Sequence, residues 1–251
     1  MIKIENTKVV GWEPAIRGMR NPMNSWEKSD SVWAETVNTF DENDIPMTIL
    51  GHYEIGPNDH KLMMKLAKAG SVDAKYRRMI IVTVDITAPL YWWKEFDTYK
   101  VGTVANSCST MHKIHSKEFT LDDFSCEHLI HFPYDGAEVN FEDKIIRDEY
   151  CSLHVNGTDA TFSPEGVMEM IIHMLNRARY LFLETKDKRF WWQMIQLLPS
   201  SYNQRRTVML NYEVLAGIYP KRKDHKLDEW HDFCKWIKEL PYSEIITLEE
   251  N

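Results

Sequence analysis

Met79-Ile80-Ile81-Val82-Thr83-Val84-Asp85-Ile86-Thr87-Ala88-Pro89-Leu90-Tyr91-Trp92-Trp93 is the stretch on which the fold turns. Its first eight residues are β-branched and almost continuously apolar, the composition of a well-buried strand ending at Ile86. Thr87-Ala88-Pro89 then reads as a cap with proline in the first turn of an aromatic-rich helix through Leu90, Trp93 and Phe96. The tryptophans and Phe96 read as core rather than as a stacking platform. Asp85 and Pro89 break the stretch, and no run approaches the ~18 apolar residues of a membrane span.

Upstream, a helix is expected between Pro57 and Gly70. Pro57 suits its first turn, Asp59 its positive end and Gly70 its stop, with Leu62, Met63, Leu66 and Ala69 as the apolar face. Downstream, 126–162 is irregular, with turn signals at Pro133-Tyr134-Asp135-Gly136 and Asn156-Gly157. Ser163-Pro164-Glu165 starts a long helix striped by Val167, Ile171, Met174, Ala178 and Leu181. Further helices are expected over Phe190–Leu198 and Thr207–Gly217, and a last one is striped by Leu227, Trp230, Cys234 and Ile237. No flexible linker divides the chain. The expectation is one domain over 1–251, helix-rich α/β (α+β) with few strands.

The 251 residues are 43% hydrophobic and 27% charged, which excludes whole-chain disorder. A net charge of -8 argues against a broad grip on nucleic acid and leaves room for a small anion in a local basic pocket. Four cysteines without a CxxC pair, and no secretory signal, point to a reducing compartment, hence the cytoplasm. His112 and His115 share H-x-x-H spacing, as do His128 and His131, but neither pair comes with a third ligand. No metal site is assigned. P-loop, GxGxxG and GxSxG motifs are absent.

Two segments carry candidate chemistry. From Tyr99 to His112 small and hydroxylic residues follow the aromatic helix without an amphipathic stripe. Hydroxyls and amides there suit a phosphate, with Lys100 adding charge. The competing reading is an ordinary polar loop, in which Cys108 is inert. Lys221-Arg222-Lys223-Asp224-His225-Lys226 reads either as a solvated charge run or as a nucleotide site at a helix start. Arg205-Arg206 and the Arg17, Arg20 pair add two further basic spots.

The order of features resembles the flavin-dependent thymidylate synthases. The residues that carry the resemblance are the helix ending in Gly70, the strand to Ile86, the Ala88-Pro89 helix start, the Phe96–Met111 loop, the Leu198-Pro199 helix end, Asn211, Leu215 and Arg222. Allowing one inserted residue, the family's RHRxxSxNExSxR signature maps onto Thr98-Tyr99-Lys100-x-x-Thr103-x-Ala105-Asn106-x-Cys108-x-Thr110. Lys100 for Arg and Thr103 for Ser are its conservative replacements. Both outer arginines and the glutamate are missing, Ser71 stands where a flavin-contacting His is expected, and Ile195 stands where an Arg is expected. Counted from Pro199 without a gap, Asn211 falls on a flavin-side Asn and Arg222 on the Arg that contacts the pyrimidine. His225 or Lys226 falls on a flavin-side His.

The resemblance implies a mixed sheet flanked by helices, a homotetramer with shared sites, and FAD, with NADPH and methylenetetrahydrofolate as co-substrates. It implies methylation of dUMP or a relative at C5, making thymidylate. In that scheme Arg222 polarises the pyrimidine and is the catalytic residue. Lys100, Thr103, Ser107 and Ser109 hold the phosphate, while Asn211, His225 and Ser71 contact the flavin. The alternative is a catalytically inactive nucleotide-binding homo-oligomer on the same scaffold. A third reading, a metal-dependent nucleotide hydrolase, rests on the histidine pairs alone.

Overall fold

The structure is a computed structural model that describes residues 2–40, 45–49, 51–130, 152–155, 158–161 and 163–249. His131, Cys151 and the turns expected at Pro133–Gly136 and Asn156-Gly157 lie outside the described residues. The helices are α1 (Trp12–Arg20), α2 (Pro57–Ala69), α3 (Leu90–Phe96), α4 (Pro164–Thr185), α5 (Lys188–Leu197), α6 (Tyr212–Arg222), α7 (Asp228–Glu239) and α8 (Glu244–Thr247). The strands are β1 (Lys3–Val10), β2 (Val32–Ala34), β3 (Val37–Phe40), β4 (Pro46–Ile49), β5 (His52–Glu54), β6 (Ile81–Pro89), β7 (Val104–Ser107), β8 (Ser152–Val155), β9 (Thr158–Thr161) and β10 (Asn203–Asn211).

The chain divides into two compact units. The first comprises Thr87–Glu95 and Ser107–Arg205, and the second Ile2–Ile86, Phe96–Asn106 and Arg206–Asn251. A four-stranded sheet has the order β1-β6-β10-β7. Three two-stranded antiparallel ribbons, β2-β5, β3-β4 and β8-β9, accompany it.

In the second unit, Val82, Val84 and Ile86 of β6 are buried and alternate with half-buried Thr83 and Asp85. Asp85 is tied down on that other face by Asn6 Nδ2 at 2.8 Å and Thr207 Oγ1 at 2.6 Å. In α2, Pro57 opens the helix as expected. Its cap, however, comes from Asp30, whose carboxylate accepts the N–H groups of Asn58 (2.9 Å) and Asp59 (3.0 Å). Asp59 is fully buried and accepts from Arg20 Nε (2.6 Å), the Ser29 and Ser31 hydroxyls (2.7 Å each) and the Asp30 and Ser31 N–H groups (3.1 Å each). Arg20 therefore holds the fold and is not half of an anion-binding pair, while Arg17 is exposed.

In the first unit, Trp92 and Trp93 are fully buried and meet edge-to-face at 4.9 Å. Trp93 Nε1 donates to the Gln204 carbonyl at 2.8 Å. α4 is capped by Ser163, whose hydroxyl accepts from Gly166 N at 3.0 Å, with Pro164 opening the helix as the sequence predicts. It packs on α5.

Five expectations are corrected. The strand begins at Ile81, because Lys75–Met79 forms a 3-10 turn, and it runs through Thr87-Ala88-Pro89. α3 starts only at Leu90, whose N–H bonds the Tyr202 carbonyl while that of Tyr91 bonds Ser200. Thr207–Gly217 is not one helix: Gln204, Val208 and Leu210 are buried as parts of β10, and Asn211 ends that strand and caps α6 by accepting from Val214 N at 3.0 Å. The strands are ten among the described residues rather than few, and one of them, β7, forms inside the expected loop. Finally, the buried face of α4 is Met168, Leu175 and Ala178, whereas Val167 and Met174 of the expected stripe are exposed. α4 is apolar on more than one face, so periodicity alone could not say which face is buried.

Candidate functional site

The hydroxylic loop leads into a cavity of about 580 Å³ in the first unit. Its backbone is anchored on the first residues of β10: Cys108 N donates to the Arg205 carbonyl at 2.9 Å, and Gln204 Nε2 donates to the Cys108 carbonyl at 2.7 Å. Ser109 Oγ accepts from His112 N (2.9 Å) and Met111 N (3.2 Å), a local turn that leaves its O–H to donate. Ser109, Thr110, Lys113, Ser116, Lys117 and Arg205 line the cavity. Lys117 is ion-paired with Asp123, which is also held by Thr120, and Lys113 and Arg205 are the other cations that line the cavity. Tyr202 also lines it. Burial first, then Asp123 and Cys108, raise its phenol's pKa and keep it a donor at neutral pH. Hydroxyl donors with these cations suit an oxyanion, set against the lining carboxylates Asp122 and Asp123.

The second unit holds the other predicted residues around α6. Lys100 lines a cavity of about 280 Å³ with Thr98, Tyr99, Glu213, Val214 and Lys221. Gly102 has φ +80, and a Cβ there would lie 3.0 Å from Asn211 Nδ2, so the turn after Lys100 packs its backbone against the α6 start. Thr103 Oγ1 is buried and has no hydrogen-bond partner among the described residues. Asn211 and Arg222 stand at opposite ends of α6, roughly 16 Å apart for a helix of this length. Arg222 Nε donates to the Tyr99 hydroxyl at 2.9 Å, and its guanidinium sits 4.5 Å above the Trp230 ring. His225 packs edge-on to the same ring at 6.2 Å, and its Nδ1 accepts from Leu227 N at 3.2 Å.

The predicted residues thus fall into groups. Ser107 and Ser109 belong to the first unit, with Ser109 in its cavity. Lys100, Thr103, Asn211, Arg222 and His225 belong to the second, and Ser71 is exposed in the turn after α2. The basic run lies between two helices as expected, Lys221 and Arg222 ending α6 and Lys223–Lys226 leading to the Leu227 cap of α7, but the first turn of α7 carries Asp228 and Glu229, which repel an anion. The α6 cavity is smaller than the ~300–1,000 Å³ of small-molecule sites. Asn211, His225 and Ser71 are not among the residues that line it. A larger cavity of about 1210 Å³ beside α1 and α2 is lined by none of the predicted residues. Among the described residues, no three His, Cys, Asp or Glu side chains gather as a metal site. His115 packs edge-to-face on Phe182 at 4.9 Å.

Sequence reasoning missed Lys113, Ser116 and Tyr202. Lys113 and Ser116 follow Cys108 in the same irregular turns without periodicity, and only long-range pairing such as Gln204 with Cys108, 96 positions apart, brings Tyr202 to the loop.

No protein-family model matches the chain, and no curated protein does. Solved structures do. Thymidylate Synthase X from Helicobacter pylori with FAD and dUMP superposes with a TM-score of 0.58 at 15% identity, covering 99% of this chain and 98% of that one. This is a ThyX-like fold. A second ThyX structure from Helicobacter pylori, also complexed with FAD and dUMP, gives the same TM-score and identity over 98% of each chain. The UMP/dUMP methylase PolB from Streptomyces cacaoi, bound with 5-Br UMP, gives a TM-score of 0.54 at 13% identity over 99% of this chain and 94% of that one. The likeness extends over the whole length and concerns the fold, not the signature. No helix among the described residues is long and apolar enough to cross a membrane.

Proposed function

We propose that this chain binds a pyrimidine nucleotide, with the phosphate in the Cys108–Lys117 cavity. The observation that carries this reading is the convergence of the Ser109, Thr110 and Ser116 hydroxyls with Lys113 and Arg205, on a fold whose solved neighbours hold dUMP or 5-Br UMP. The resemblance assigns Lys100, Thr103 and Ser107 to phosphate recognition and Arg222 to the pyrimidine, in sites shared between subunits. The reaction proposed is methylation of dUMP or a relative at C5. Flavin binding by Asn211, His225 and Ser71 is proposed to occur in the homotetramer with shared sites that the resemblance implies. The second reading, an inactive nucleotide-binding homo-oligomer, is favoured by Thr98 and Thr110 where the family signature has arginines, because a hydroxyl replaces neither the charge nor the planar fork. Flavin absorbance bands in the purified protein separate the two readings.

Nucleotide binding is tested by titrating dUMP and deoxyuridine. Lys113→Ala is expected to lose the phosphate-dependent part of the affinity, near the lower end of ~1.5–3 kcal/mol for a charged donor this exposed, and Ser109→Ala about 1 kcal/mol. An unchanged dUMP preference in Lys113→Ala, with the loss appearing in Lys100→Ala, would move the phosphate to the α6 cavity.

The assembly has its own observable. Met170, Met174 and Tyr180 of α4 are 42%, 54% and 52% exposed, large apolar side chains beside exposed His173 and Arg177. Light scattering at micromolar concentration is expected to report about four times 29.7 kDa. A monomer at that concentration sinks the shared-site model.

A further inference from the structure

A separate cavity of about 580 Å³ opens in the second unit between the start of α1, the β2-β5 ribbon and the turn at Pro241-Tyr242. Trp12, Trp33, Tyr53 and Tyr242 line it, with His52 as its one imidazole and Glu13 as its one acidic residue, and no Lys or Arg is among the described lining residues. The aromatic rings come as two edge-to-face pairs: Trp33 with Tyr53 at 5.6 Å and Trp12 with Tyr242 at 5.3 Å. Trp33 Nε1 donates to Glu13 Oε2 at 3.2 Å, linking the ribbon to the first turn of α1. Two backbone positions in the left-handed region border the cavity, Gly11 at φ +98 and Tyr242 at φ +53. For tyrosine that conformation is strained, and strain of this type collects at ligand clamps. The Tyr242 hydroxyl accepts from Ile55 N at 3.3 Å, which fixes the ring.

Trp33 is 62% exposed although it is a large apolar side chain held in place by a hydrogen bond. The volume falls within the range of small-molecule sites. Aromatic rings present negative faces, Glu13 adds a full negative charge, and no lining side chain offers a phosphate a fixed positive charge, so the cavity selects against anions and for cations. Arg17 reaches Glu13 at 3.8 Å, but both side chains are largely exposed, and such a pair contributes little. We infer that this cavity binds a small organic ammonium ion, quaternary or methylated, between the aromatic rings with Glu13 as its counter-charge. Its lining shares no residue with the nucleotide cavity, so the two readings stand or fall separately.

The test is a titration of the full chain with choline and with its neutral isostere 3,3-dimethylbutan-1-ol at matched ionic strength, followed by tryptophan fluorescence and by the upfield shift of the ligand methyl resonance. Choline is expected to bind at least ~10-fold more tightly than the alcohol, with Glu13→Gln and Trp33→Ala each weakening it about 5- to 10-fold. Both side chains are exposed enough for the variants to fold, which circular dichroism verifies. Equal binding of choline and the alcohol, undiminished binding in Trp33→Ala, or no saturable choline signal would overturn the inference. A trimethyllysine peptide binding more than ~10-fold more tightly than choline would overturn the small-molecule assignment in favour of a protein ligand.

Discussion

Asp59→Ala is expected to destabilise the second unit by about 3–5 kcal/mol, because it leaves the buried Arg20 guanidinium without its counter-charge. It also removes the acceptor of the Ser29 and Ser31 hydroxyls and of two backbone N–H groups, each a donor that loses its partner. At roughly 2–4 °C per kcal/mol for a chain of this size, the melting temperature should fall on the order of 10 °C. The double variant Arg20→Met with Asp59→Leu should lose less than Asp59→Ala alone, since an apolar pair carries no uncompensated charge. A larger loss in the double variant contradicts this account. The same carboxylate predicts a pH dependence. Burial would raise its pKa, but the hydrogen bonds from Ser31, Ser29 and Arg20 outweigh burial and the net shift is downward. A depressed folded-state pKa means that the stabilisation is fully present above the unfolded value near ~3.9 and is lost as pH falls through the lower folded value. Urea midpoints measured from pH 6 downward should show that acid step in wild type. Asp59→Leu should lack it.

Arg222→Ala is expected to weaken pyrimidine-nucleotide binding by about 2–4 kcal/mol, the range for a charge-assisted contact in a partly dry pocket. Arg222 is already engaged by the Tyr99 hydroxyl and the Trp230 ring, so the same change should also cost stability, about 0.5–2 kcal/mol for the stacking contact. These two losses are separable. Arg222→Lys keeps the charge but not the planar fork or the stack, and should recover less than half of the binding loss. Isothermal titration with dUMP, alongside thermal melts, decides between roles: a drop in stability with unchanged affinity makes Arg222 a purely structural clamp on Tyr99 and Trp230, and the pyrimidine assignment then fails.

The sequence was legible wherever a signal is local. Pro57 and Gly70 bracket α2 because the first turn tolerates a missing N–H and a glycine reaches the conformation that ends a helix. Ser163-Pro164 opens α4 for the same short-range reasons. β6 was readable from β-branched residues, although its last residues and the start of α3 were set by backbone hydrogen bonds to Ser200 and Tyr202, more than 100 positions away. The resemblance placed the chain on the fold that the solved ThyX structures share, at an identity too low for the signature loop to speak for itself.

What the sequence alone determined is the set of elements whose caps, turns and periodicity lie within a few residues. Only the tertiary structure decided that Thr207–Gly217 divides into strand and helix, where burial of Val208 and Leu210 in a sheet outweighed helical propensity. It alone paired Arg20 with Asp59, set Ser109 in a cavity with Lys113 and Arg205, and gathered Trp12, Trp33, Tyr53 and Tyr242 around one cavity. Each of these depends on closing loops between distant segments, and the energy that closes them comes from burial elsewhere in the fold, which leaves no periodic mark on the residues brought together.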